Sequence, residues 1–151
     1  LLLALAELLG MSLWFAGSAA APQYQALWKL TPSETGWLTT AVQVGFVAGT
    51  ALSALLNLAD VVPARGLFAA SATAGALANA ALLALPPEPA RAYPLALAYR
   101  FATGLALAGV YPPAMKMGAT WFRARRGLAV GTIVGALTVG KATPYLVHAV
   151  A

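Results

Sequence analysis

Residues 35–58 read TGWLTTAVQVGFVAGTALSALLNL, twenty-four positions without a charge. At about 1.5 Å per residue such a run covers the ~30 Å hydrocarbon layer of a bilayer as one helix. Period-two alternation is weak in it, and Ala, Leu and Gly outnumber β-branched and aromatic residues, which argues against a membrane β-barrel strand. Working outward, similar runs recur on both sides, separated by short polar or proline-rich breaks. The spacing predicts spans at about 1–26, 35–58, 67–85, 93–117 and 127–150. The expected fold is therefore all-α, a polytopic transmembrane helical bundle with no soluble domain.

Composition agrees. Of 151 residues 61% are hydrophobic and only 9% are charged, whereas a soluble domain carries nearer a quarter. Lipid as the solvent removes the need for a charged surface. The absence of cysteine excludes a disulfide framework or thiolate metal site. One histidine, no Gly-Lys-Ser/Thr phosphate loop and no paired acids leave catalysis few candidates, so no enzyme, cofactor or metal is expected. The basic cluster Arg123, Arg125 and Arg126 beside Trp121 and Phe122 fits an interfacial anchor better than a nucleic-acid surface. Both ends of the sequence lie inside apolar runs, which points to a piece of a longer chain, and the first run is too long and lacks the basic start of a signal peptide.

The breaks carry their own signals. In Thr31-Pro32-Ser33-Glu34, Thr31 or Ser33 can cap the second span, Pro32 suits a first helical turn, and Glu34 sits where the helix dipole favours an acid. Pro86-Pro87-Glu88-Pro89 cannot continue a helix. Bases in the short loops weight towards the cytoplasm. Arg65, Lys116, Arg123, Arg125 and Arg126 fall on one side, with Lys29 and Arg91 on the other, which places the N-terminus in the cytoplasm, the membrane being a bacterial inner membrane.

Polar residues inside the spans form stripes. Thr39, Gln43, Thr50, Ser53 and Asn57 lie within about 80° of one another at 100° per residue. Such a face serves either helix-to-helix hydrogen bonding or the wall of a water-filled cavity. Glu7, Ser18 and Gln25 align in the first span, Arg100, Tyr111 and Gly118 in the fourth, and Thr138, Lys141, Tyr145 and His148 in the fifth. The third span has only Ser71, Thr73 and Asn79, as expected of a supporting helix facing lipid. Gly45 and Gly49, and Gly127, Gly131 and Gly135, repeat every four residues and predict close helix packing.

Charges deep in a span cost about 2.5 kcal/mol or more on insertion scales, so they mark function or pairing. Arg100 lies about 10 Å in from one end of its span and Lys141 about 20 Å from the opposite end of the next, which brings them to similar depth. Two bases with no acid at that level suggest either an anionic solute or an acid elsewhere in the protein. Gln43, Arg100, Tyr111, Lys141 and Tyr145 are thus the expected substrate pathway. Glu7 is open to three roles: snorkelling, ion pairing, or carrying a proton.

Leu58, Ala59, Asp60 and Arg65 match a loop signature, Gly-x-Leu-Ala-Asp-Arg-x-Gly-Arg-Lys, while Leu56, Val61, Pro63 and Ala64 depart from it. Arg100-Phe101-Ala102-Thr103-Gly104 and the junction from Trp121 to Gly131 follow in order. In these the chain resembles the major facilitator superfamily, as spans one to five of an N-terminal six-helix half. The resemblance implies a secondary transporter built from two rocking bundles around a midplane site. It also implies a small-molecule or ion substrate, a lipid environment, a second helical bundle in the same chain, and a cytoplasmic gate at Asp60 and Arg65. The drug-antiporter branch is not favoured, since Pro144 follows Lys141-Ala142-Thr143 rather than a glycine. The alternative is a non-transporting membrane scaffold or subunit.

Overall fold

The computed structural model describes residues 2–121 and 126–150, the last helix mainly by its backbone. Every element among them is helical: α1 Leu2–Ala19, α2 Ala21–Trp28, α3 Pro32–Leu55, α4 Leu58–Val61, α5 Ala64–Ala80 with a 3₁₀ turn Ala81–Ala84, α6 Pro89–Leu107, α7 Tyr111–Trp121 and α8 Arg126–Val150. Three runs are both long and apolar enough to cross a membrane, Leu2–Trp28, Pro32–Leu55 and Ala64–Ala84.

Local chemistry sets several of these ends. Thr31 starts α3 through a reciprocal box: its Oγ1 accepts from the Glu34 N–H at 3.3 Å, and Glu34 Oε2 accepts from the Thr31 N–H at 2.8 Å. Two otherwise orphaned donors are satisfied, worth roughly 1 kcal/mol for such a cap. α3 stops at Leu55, earlier than the expected 58, because Asn57 turns left-handed at φ 50°. The expected first and fourth spans are each interrupted. Pro22 follows a break at Ala20, and Pro112-Pro113 follow a break at Ala108–Val110.

Packing is tightest between α3 and α6, where two glycines interlock. A Cβ on Gly45 would collide with the Phe101 carbonyl, and one on Gly104 with the Val42 carbonyl. Here the expected close packing of Gly45 is observed. Beside Gly127, Gly131 and Gly135 there is open space among the described residues, so that repeat is not used for packing there. α1 lies mainly along α8, and α5 along α6. At one end a cluster of Trp28, Leu38, Leu82, Ala92 and Ala96 joins α2, α3, the 3₁₀ turn and α6. The third run is the least covered of the three long apolar ones, 11% of it buried against 28% for the others, as a lipid-facing support requires.

Gly104→Ala must push α3 and α6 apart or leave an overlap, a change that costs about 1–3 kcal/mol in packed interiors. Gly36→Ala meets nothing within 4 Å. Thermal unfolding of the purified protein in detergent should therefore show a clear loss for Gly104→Ala and almost none for Gly36→Ala.

Candidate functional site

The fold brings Arg100 to the meeting point of three helices. Its side chain is 2% exposed, and its fork is occupied by backbone oxygens: Nε donates to Leu38 O at 3.2 Å, Nη1 to Leu13 O at 3.2 Å and Nη2 to Trp14 O at 2.6 Å. α6 is thereby tied to α3 and α1 at one point. Gly17 makes room, since a Cβ there would sit 2.7 Å from the guanidinium carbon. A rigid, always-charged fork with several donors suits this task, as a lysine point charge does not. The sequence placed these donors toward a solute; in the structure all three guanidinium nitrogens donate to carbonyls. Neither Gly17 nor the carbonyls of Leu13 and Trp14 could be found by pattern, because a carbonyl acceptor belongs to every residue.

Two further polar contacts join these helices among the described residues. Ser18 Oγ and Thr39 Oγ1 lie 3.2 Å apart, joining α1 to α3, and Tyr93 Oη donates to Glu34 O at 3.2 Å, joining α6 to α3. Glu7 is fully buried on the same face of α1 as Ala4 and Met11, and neither carboxyl oxygen has a hydrogen-bond partner among the described residues. Gln43, Thr50 and Asn57 are exposed, beside rather than within the face of α3 that packs on α6. The Thr50 hydroxyl turns back to Phe46 O at 2.8 Å. Of that stripe, only Thr39 is seen bonding to another helix among the described residues.

Tyr111 is half-buried at the start of α7. The face it was expected to share with Arg100 assumed one continuous helix, and the break at Ala108–Val110 removes that common register. Lys141 and Tyr145 lie on α8, but their side chains fall outside the described residues, as does that of His148. No group of three or more His, Cys, Asp or Glu that could hold a metal occurs among the described residues.

At the end of the bundle that carries Asp60, Lys116 Nζ lies 3.0 Å from Asp60 Oδ1 in a largely exposed ion pair, and the Arg65 guanidinium sits 5.3 Å from the Trp121 ring centroid. The expected gate residues are thus both tied to α7. In the sequence Lys116 counts only among the bases on the cytoplasmic side; the structure makes it the partner of Asp60 on that same face. At the opposite end a cleft of about 250 Å³ is lined by Trp28, Lys29, Glu34, Pro89 and Tyr93 among others.

The family profile of the Major Facilitator Superfamily matches residues 2–148. The chain belongs to the Major Facilitator Superfamily. No curated protein and no solved structure matched it. The superfamily is one of transporters, so the long apolar helices are those of an integral membrane protein.

Hydrogen bonds to a charged group contribute about 1.5–3 kcal/mol each. Arg100→Met removes all three and should lower the unfolding temperature strongly, with Arg100→Lys intermediate because an ammonium cannot span both α1 and α3. Melting curves of the purified variants check this; unchanged melting in Arg100→Met would show that the three bonds do not hold the bundle together.

Proposed function

We propose that this superfamily member is a secondary transporter that moves a small solute by alternating access, with five spans of its N-terminal bundle represented here and a second bundle completing the path. The observation that carries the reading is the pair of exposed polar residues Gln43 and Thr50 on one side of α3, with exposed Asn57 two residues past its end. Amide and hydroxyl groups facing hydrocarbon are costly, so such a face belongs to water or to protein. With the packing face of α3 already spent on α6, the stripe is free to line a path between bundles.

Arg100 in this reading is the frame of the path and not its solute ligand. The anionic character of the solute then rests on Lys141, with Gln43, Tyr111 and Tyr145 as neutral lining. Glu7, a buried carboxyl with no hydrogen-bond partner among the described residues, is the proposed carrier of a coupling proton. The Asp60–Lys116 pair and Arg65 form a cytoplasmic gate, with the N-terminus cytoplasmic, in a bacterial inner membrane. Exposed pairs contribute only about 0–1 kcal/mol, weak enough to break and re-form in each cycle.

The chain has no cysteine of its own, which suits labelling. Gln43→Cys, Thr50→Cys and Asn57→Cys should react with a membrane-impermeant maleimide in intact membranes, while Val44→Cys, exposed but about 100° around the helix, should not. Equal silence at all four positions would remove the stripe from any aqueous path.

A further inference from the structure

At the membrane face opposite Asp60, the turn between the first two spans and the start of α6 enclose the cleft of about 250 Å³. Both segments are breaks between spans, so the cleft lies at the level of lipid headgroups and not at the midplane. Its walls are aromatic and charged together: Trp28 and Tyr93 give ring surface, Lys29 and Glu34 give one charge of each sign, and Ala90 and Pro94 close it from α6. Rings at this depth are common as an interfacial belt. Trp28, however, is only 6% exposed, stacked on Tyr24 at 4.8 Å and packed among Leu38, Leu82, Ala92 and Ala96. The Tyr93 hydroxyl donates to Glu34 O at 3.2 Å and braces the α6 wall against α3. The cleft is thus held in shape by groups that are themselves fixed.

Its polar groups are not satisfied by one another. Lys29 closes α2 in the left-handed conformation at φ 52°, a position where glycine or asparagine is usual, and its ammonium has no ion pair or hydrogen bond among the described residues. Glu34 is oriented by Thr31, whose N–H and Oγ1 both reach Oε2 at 2.8 Å, which leaves Oε1 without a bond among those residues. The Ala90 N–H, in the first turn of α6, meets no acceptor there either, since the Glu88 side chain does not cap that helix. Snorkelling accounts for Lys29 alone and capping for Glu34 Oε2 alone. Neither explains why two opposite charges line one small cleft without bridging it. Such a pair leaves room for a ligand that carries both complements, and the volume lies below the roughly 300–1,000 Å³ of pockets for drug-sized molecules.

We infer that this cleft binds a zwitterion of the kind an aminophospholipid headgroup presents, a phosphate joined by a short linker to a primary amine. Lys29 and the Ala90 N–H take the phosphate, Glu34 Oε1 accepts from the amine, and the Trp28 and Tyr93 rings cover the linker. Charge-assisted bonds of both signs are the strong contacts, and ring faces attract an ammonium as well. A choline headgroup has no N–H to give Glu34, and a glycerol headgroup has no positive charge. Ethanolamine is therefore preferred over both.

Native mass spectrometry of the whole protein, released from nanodiscs of equal parts phosphatidylethanolamine and phosphatidylglycerol, tests this by the lipids that stay bound. Two variants remove the charges and keep the local folding signals: Lys29→Asn suits the left-handed cap, and Glu34→Gln suits the capping box. Each should lower retained phosphatidylethanolamine roughly tenfold, the scale of one charge-assisted bond, with melting in lipid-free detergent unchanged. Retention unaffected by both variants overturns the site. Equal retention of the two lipids in the unmodified protein overturns the pairing of Glu34 with an amine. A second arm adds free phosphoethanolamine to lipid-stripped protein and follows its melting temperature. Lipid retention without protection by the free headgroup identifies a phospholipid as the source, and protection that Lys29→Asn abolishes, without lipid retention, identifies a soluble zwitterion at the same place. Neither retention nor protection refutes the inference. Solute movement enters none of these readouts, so the result stands apart from the transporter reading.

Discussion

A guanidinium shared by backbone carbonyls on two other helices organises this half-bundle. Three membrane helices packed by Ala, Leu and Gly have little besides van der Waals contact to fix their relative depth, because lipid is as apolar as their side chains. Arg100 supplies that missing specificity. Its bonds to Leu38, Leu13 and Trp14 set where α6 crosses α3 and α1, and the Gly45–Gly104 interlock takes up the close approach that results. Burial of a permanent charge is tolerated because carbonyl dipoles replace its water.

From that fixed point the remaining features divide by role. α3 spends one face on α6 and leaves Gln43 and Thr50 exposed beside it, with Asn57 just past its end. α5, with few polar groups and most of its surface uncovered, supports from outside. The tips of the broken spans are held differently: an aromatic stack and apolar seat at Trp28, an exposed ion pair and a cation–π contact around α7.

Much of this was legible in the residues themselves. Thr31 and Ser33 both marked the start of α3, of which the structure uses Thr31 and adds the reciprocal bond to Glu34, and composition alone required membrane helices. Asp60 and Arg65 stood out by their loop pattern, and the superfamily that this pattern resembles is the one whose profile matches residues 2–148. Arg100 was visible as a deep charge, but its partners were not, since backbone acceptors leave no mark in a sequence. The division of the fourth span was missed for a related reason. Pro112-Pro113 were absorbed into a continuous hydrophobic run, although two missing donors in succession are a physical reason for a break. Lys116 escaped notice because its partner is 56 positions away.

The central claim is that Arg100 is held by carbonyls throughout the working cycle and does not receive solute. Nitrogen NMR of the Arg100 guanidinium in the whole protein tests it most directly. The account predicts an Nε–H signal protected from exchange with water and unmoved when solute is added to saturation. A rapidly exchanging signal, or one that shifts on solute binding, would contradict it and return Arg100 to the binding site.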